Sequence, residues 1–308
     1  MRSLLGFLGR YARWALPAGV FVGIALPDLA ALLRPLLTYL VIGTLTTALL
    51  RLDWGRFAEA ARRPALPAWI ALWQLVASPL LVWFAAGLVG LAPELRLVTV
   101  LQAAAPPIGS AAVFALILGL DGVLAVVATM ATTLLLPLTL TPLVGLLLPH
   151  TGLHVDLGAF FVRVSLVVVA PFALALALRR SIGIARLARN DELLAGLNVV
   201  LLVVFAILVM DGVTARLLAD PRFIGVLFVT ACVSTALLHL AGFALFRRAG
   251  AAAAYGAALL SGNRNMGLML AITAGTAGPA FSLYVGVTQI PMYFAPLALT
   301  PFVRRSRR

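Results

Sequence analysis

Apolar residues run through this chain in blocks of about 20, the length that carries a helix across the hydrocarbon layer. Polar and charged residues collect between the blocks. Ten helices are expected, near 11 to 27, 32 to 50, 66 to 90, 97 to 119, 122 to 148, 157 to 178, 193 to 215, 222 to 246, 251 to 275 and 279 to 302. Two of these blocks are interrupted by clusters of polar residues and helix breakers. Pro106-Pro107-Ile108-Gly109-Ser110 interrupts the fourth, and Ser261-Gly262-Asn263-Arg264-Asn265-Met266-Gly267 interrupts the ninth. Proline removes a backbone donor, and glycine and asparagine are poor helix formers, so both blocks are expected to be discontinuous helices.

Composition decides what the blocks are. Of the 308 residues 63% are hydrophobic and only 11% charged, with a mean hydropathy of +1.10, which describes an all-α polytopic membrane protein. Basic residues outnumber acidic ones 23 to 10, and every one is arginine. Most lie between the blocks rather than along one soluble face, so the excess points to membrane orientation and not to nucleic acid. With the N-terminus inside, the cytoplasmic side receives Arg2, Arg10 and Arg13; Arg51, Arg56, Arg62 and Arg63; Arg179, Arg180, Arg186 and Arg189; Arg247 and Arg248; and Arg304, Arg305, Arg307 and Arg308, which is 17 of the 23. Arg34, Arg96, Arg163, Arg216 and Arg222 stay outside, and Arg264 alone falls within the bilayer. Ten spans with both termini cytoplasmic satisfy this bias, and the expected location is a bacterial inner membrane. The stretch from Met1 to Arg13 lacks a short apolar run with a small-residue cleavage site, so it reads as the approach to a first, retained helix. A single cysteine, Cys232, leaves no disulfide framework or cysteine metal cluster.

An internal repeat organises the ten spans. Pro137-Leu-Thr-Leu-Thr141-Pro142-Leu-Val144 in the fifth and Pro296-Leu-Ala-Leu-Thr300-Pro301-Phe-Val303 in the tenth agree at six of eight positions. Each copy follows a broken segment at a similar distance. Five spans per copy is odd, so the two units, 1–150 and 151–308, are expected to be inverted relative to each other, with the broken helices 4 and 9 crossing near the midplane where such transporters bind their cargo.

Several of these residues resemble the bile acid:sodium symporter family and its bacterial members: Leu52-Asp53-Trp54-Gly55-Arg56-Phe57 through Arg62-Arg63-Pro64, Gln74 with Pro79, the break after Pro106, the Thr-Pro ending of the fifth span, and Gly262-xx-Asn265-x-Gly267. The resemblance implies a core domain of spans 3 to 5 and 8 to 10 moving against a panel domain of spans 1, 2, 6 and 7. It also implies sodium sites built from a Ser-Asn pair in helix 4, a Ser and a Thr in helix 5, and a Glu and a Gln at the helix 9 break. Aligned without gaps, this chain offers Ala111-Ala112, Ala125, Leu260 and Arg264 at those positions, and only Gln74 and Thr129 persist. Sodium wants oxygen ligands, preferably with a carboxylate, so sodium coupling is expected to be absent and no metal or other cofactor is expected.

Arg264 then becomes the centre of the functional reading. A charge at the bilayer centre costs from about 2.5 to above 10 kcal/mol and marks a site by default. Arg264 is expected to stand in for the missing cation, holding the crossed helices together and attracting a small or amphipathic organic anion, for which its planar fork is suited. Capping of backbone carbonyls at the break is the competing role. Gln74, Ser110, Thr129, Thr133, Asn263 and Asn265 are the other candidate substrate-binding residues, with Thr132 beside them, although threonine in a membrane helix commonly bonds back to its own carbonyls. His239 and Asp211 could carry protons but fall toward span ends, where interface roles are common. Asp121 reads as a helix N-cap, and Glu94, Asp156 and Asp220 as outer-loop charges. No HExxH, GxSxG, P-loop or cysteine cluster suggests an enzyme. His150 and His154 flank Gly152 in one loop, a poor zinc pair. A binding or sensory membrane protein without turnover, and a symporter with a rebuilt sodium or proton site, remain open as alternatives.

Overall fold

Hydrocarbon offers no partner to a backbone N–H or C=O, so a segment that crosses it must satisfy those groups within itself. The computed structural model describes residues 12–52, 54–62, 64–147, 156–273 and 276–306, and no strand occurs among them. In chain order the helices are α1 (Ala12–Ala25), α2 (Pro27–Leu33), α3 (Leu37–Leu50), α4 (Trp54–Ala61), α5 (Ala65–Leu72), α6 (Ser78–Leu88), α7 (Pro93–Ala104), α8 (Ala111–Ile117), α9 (Gly122–Leu147), α10 (Leu157–Ile182), α11 (Ile184–Arg189), α12 (Asp191–Leu208), α13 (Val213–Ala219), α14 (Pro221–Phe246), α15 (Ala251–Gly262), α16 (Met266–Thr273) and α17 (Gly278–Arg305). A 3-10 turn at Arg34–Leu36 joins α2 to α3, and a π turn at Trp73–Ala77 joins α5 to α6.

Six stretches of the described residues are long and apolar enough to cross a membrane: Pro27–Leu50, Ala65–Leu88, Gly122–Leu147, Leu157–Ile182, Asp191–Ala219 and Pro221–Ala249. The surface agrees with that setting. Leu88 is 89% exposed and Leu218 81%, while Gln74, Ser78, Gln102, Ser261 and Asn263 are buried. Large apolar side chains thus face outward and polar ones inward, the arrangement that lipid favours and water does not.

The fourth and ninth blocks are broken where the sequence places the breaks, between α7 and α8 and between α15 and α16. The seventh is also interrupted, between α12 and α13, where Gly212 turns the chain with φ 78°; only glycine enters that region without strain. Asp121 caps α9 as expected, its Oδ1 accepting from the N–H groups of Val123 and Leu124 at 2.9 Å each. Asp156 and Asp220 are caps as well as loop charges, accepting from the first turns of α10 and α14. His150 and His154 lie outside the described residues.

Two sets of helices pack among themselves. α12 lies against α1 and α3, and α10 against α3; α14 lies against α15 and α17, α6 against α7, and α9 against α5 and α8. The sets meet where α9 touches α10 and where α16 touches α3 and α10.

Candidate functional site

Two consecutive prolines decide the geometry at the first break. Pro107 has no N–H and Pro106 cannot continue α7, so the chain leaves the helix extended and the carbonyl of Ala105 is released from the helical ladder. The second break lies directly against it. Ile108 N–H donates to Asn263 O at 2.9 Å and Asn265 N–H donates to Pro106 O at 2.7 Å, an antiparallel bridge centred on Pro107 and Arg264.

Arg264 closes this crossing from inside. Its Nε donates to Ser261 O at 2.6 Å, its Nη1 to Ala105 O at 2.7 Å and its Nη2 to Ser78 Oγ at 3.1 Å. The side chain is 0% exposed and is the bulkiest of the fully buried ones. Ser261 belongs to the last turn of α15 and Ala105 follows the last residue of α7. The guanidinium therefore sits at two helix C-termini, whose dipoles present negative ends to it. That explains how a full charge is held here with no carboxylate bonded to it: charge-assisted bonds to carbonyls and two helix dipoles replace a counter-ion. In this conformation carbonyls rather than a wet cavity meet the charge. Two recesses of about 510 and 480 Å³ open elsewhere, one beside Thr38, Arg163 and Ala271 and the other beside Arg34, Asp211, Arg216 and Ser282.

The other candidates divide. Asn265 Oδ1 accepts from Leu268 N–H at 3.0 Å and caps α16. Asn263 Nδ2 donates to Leu259 O at 3.2 Å, while its Oδ1 is buried without a partner. Both amide atoms of Gln74, the hydroxyl of Thr129 and that of Ser110 are likewise buried and unpartnered, so polar capacity remains around the crossing. Thr133 and Thr132 bond back to Thr129 O and Ala128 O at 2.7 Å each, the habit expected of threonine in a membrane helix. Asp211 lines the second recess.

Four residues join the site that the sequence did not single out for it. Ser78 Oγ accepts from Arg264 and lies 3.0 Å from Ala103 O, tying α6 to α7 and to the break. Trp73 Nε1 donates to Ser261 Oγ at 2.9 Å. Ser261 supplies the carbonyl already described. His239, expected near a span end, is only 8% exposed and its ring lies against Gly262 in the break. The spacing Gln74-x-x-x-Ser78 was the available signal for Ser78, because residues four apart share a helix face.

The family model of the Sodium Bile acid symporter family matches residues 35–219, which is more than half of the chain and includes the first break. The chain belongs to that family. No curated protein matches it. As a Sodium Bile acid symporter family member it is a multi-pass membrane transporter of the bile-acid or organic-anion type. The matched residues end before α15, so Arg264 and Ser261 lie beyond them, while Ser78 and Ala105 lie within.

Proposed function

We propose that this protein moves a small or amphipathic organic anion across a bacterial inner membrane by alternating access, without sodium, and that Arg264 stands where a coupling cation would otherwise be. The observation that carries this reading is the buried guanidinium tying the C-terminal ends of α7 and α15 together. A sodium ion bound at the same crossing would do that work only when present; a tethered cation does it permanently.

The residues at hand do not fit sodium. Ala111, Ala125 and Leu260, at positions that the resemblance assigns to ligands, are buried and bring no side-chain oxygen. Gln74 and Thr129 retain theirs, but two groups fall short of the six or so oxygens a hard cation takes. The guanidinium adds repulsion, since two unit charges ~4 Å apart repel by about 4 kcal/mol at an effective dielectric of ~20.

The ten-span inverted repeat, with units 1–150 and 151–308, draws support from burial. Pro137 and Pro296 are both buried, Leu138 and Leu297 exposed, Pro142 and Pro301 exposed, and Val144 and Val303 buried, although the two copies lie far apart in the chain. A panel of α1, α2, α3, α10 and α12 against a core of α5 to α9 and α14 to α17 follows the packing described above. Opening between them would bring the substrate to Gln74, Ser110, Thr129, Asn263 and the remaining capacity of Arg264.

The test is thermal stabilisation of the purified protein by a panel of organic carboxylates and sulfonates, in sodium or in choline salt, for wild type and Arg264→Gln. A hundredfold excess over Kd stabilises by about 2.7 kcal/mol. Equal stabilisation in both salts, lost in Arg264→Gln, is the expected result. Stabilisation by sodium chloride over choline chloride, with no anion added, would overturn sodium independence.

A further inference from the structure

We propose that His239 is a proton-coupling site, at which proton uptake on Nε2 turns over the Asn263 amide and loosens the crossing that Arg264 ties. This supplies a mobile coupling ion to the transport reading above and rests on it for its purpose. The device itself is a property of the protein alone.

The protonation state is fixed by the partners. His239 Nδ1 lies 2.8 Å from Thr235 O, which can only accept, so Nδ1 carries the hydrogen and Nε2 presents a lone pair. Asn263 Nδ2, oriented by its bond to Leu259 O, faces that lone pair at 3.4 Å. The ring is neutral in this arrangement. Adding a proton converts Nε2 from acceptor to donor, and two N–H groups then oppose each other across the contact. The amide must turn, and the acceptor it would bring round is already there: Asn263 Oδ1 is buried with no partner in the present state. A buried orphan acceptor is costly, and here it lies one bond rotation from His239 Nε2, which protonation would make a donor.

Turning the amide has consequences at the crossing. It withdraws Nδ2 from Leu259 O in the last turn of α15, the same turn whose Ser261 O receives Arg264. The backbone carbonyl of the same Asn263 receives Ile108 N–H. The ring cannot retreat freely, because it lies so close to Gly262 that a Cβ there would fall 1.7 Å from Nδ1 and 1.8 Å from Cε1.

The surrounding charges bear on what a proton would do here. Arg264, in the break, repels positive charge on the ring. Arg247 and Arg248 follow α14 about 12 Å further along its axis, and Arg222 in its first turn, with Arg216 and Asp220 beyond it, stands about 25–28 Å away at 1.5 Å per residue. Glu94 and Arg96 stand at the far end of α7 from Ala104, and Arg304 and Arg305 at the C-terminal end of α17. Cys232 on α14, Tyr255 on α15, and Tyr284 and Tyr293 on α17 are the neutral titratable groups on these packed elements. Charge on His239 therefore adds to that of Arg264 with no carboxylate facing it among the described residues.

The experiment uses the purified wild-type protein in detergent, with protons as the only ligand. Three histidines, His150, His154 and His239, give three ring signals after 15N-histidine labelling, assigned with His150→Gln and His154→Gln. The same samples are followed by hydrogen exchange of peptides covering 105–110 and 261–267, from pH 8 to pH 5, at exposure times scaled to the intrinsic exchange rate. The His239 signal is expected to convert from the Nδ1–H form to the doubly protonated form, and protection of Ile108 and Asn265 to fall with it by up to about tenfold per pH unit, the limit for one linked proton. His239→Gln is expected to lose the pH response. Ring protonation without loss of protection, loss of protection while the ring stays neutral, or an unchanged response in His239→Gln would each overturn the assignment. None of these readouts needs an anion, so a failed anion screen and a failed proton site remain distinguishable.

Discussion

A guanidinium buried in a membrane protein needs acceptors for its N–H groups and negative potential for its charge, and at Arg264 both come from backbone. Ser261 O and Ala105 O are carbonyls that the breaks release from their helices, and each lies at a helix C-terminus. Ser78 is the one side chain in this shell. Graded losses should follow in equilibrium unfolding of the purified protein. Arg264→Ala removes three bonds to a charged group and leaves carbonyls buried and unpaired, an expected loss of about 3 kcal/mol or more. Arg264→Lys keeps the charge but not the fork, so it should fall between wild type and alanine. Ser78→Ala should cost about 1–2 kcal/mol by depriving Nη2 of its acceptor. Thr133→Val is the contrast: its hydroxyl serves only its own helix, and an average membrane side-chain hydrogen bond is worth about 0.6 kcal/mol or less. A Thr133→Val loss equal to that of Ser78→Ala would contradict the bonding described here.

At the scale of elements, the two breaks were legible and the π turn was not. Pro106 and Pro107 cannot continue a helix, and the Gly262-Asn263 pair weakens one, so local chemistry alone located both interruptions. Trp73-Gln74-Leu75-Val76-Ala77 itself contains no breaker, but Pro79, two residues further on, cannot donate to Leu75 O and crowds it, and the π turn that results is held with Trp73 bonded to Ser261 and Ser78 bonded to Arg264. Ser78 was hidden for another reason. A serine in a membrane helix ordinarily bonds to its own preceding turn, and Ser78 does lie 3.2 Å from Gln74 O while also serving Arg264. His239 was misplaced because hydropathy reports distance along α14 and says nothing of the glycine facing it on α15. The π turn carries a prediction of its own. Such a turn takes up one extra residue and returns the chain to the same helical phase, so deleting Val76, which is 38% exposed, should restore regular α-helix without rotating α5 relative to α6. Ile70, fully buried on α5, should then stay inside. In a Cys232→Ser background, Ile70→Cys should resist maleimide both in the parent and in the deletion variant; reaction in the deletion variant alone would mean that the π turn does not preserve the phase of α5.

For the whole molecule, the arginines set an expected topology and the structure shows what several of them do. Arg51 pairs with Asp191 at 2.7 Å, fastening the end of α3 to the start of α12. Arg179 donates to Leu50 O and Leu52 O at 3.3 Å. Arg96 lies 3.5 Å above the Trp83 ring at the opposite end of the helices. Surface pairs of this kind contribute little stability on their own, so their placement is better explained by the positive-inside bias that orients the chain during insertion. Three expected spans separate Glu94 from Ser181, and four separate Ser181 from Ser306. Cysteines introduced at Glu94 and Ser181 should therefore label on opposite sides of the membrane, and those at Ser181 and Ser306 on the same side. With a membrane-impermeant maleimide on intact, right-side-out vesicles carrying the Cys232→Ser protein, Glu94→Cys should react at once, and Ser181→Cys and Ser306→Cys only after permeabilisation. Labelling of Ser181→Cys and Ser306→Cys from opposite sides would make the number of crossings after α10 odd. The second unit would then lack a span, and the inverted pairing of α7–α8 with α15–α16 would lose its basis. Immediate labelling of both, with Glu94→Cys protected, would leave the pairing intact and reverse the orientation, placing most of the arginines outside.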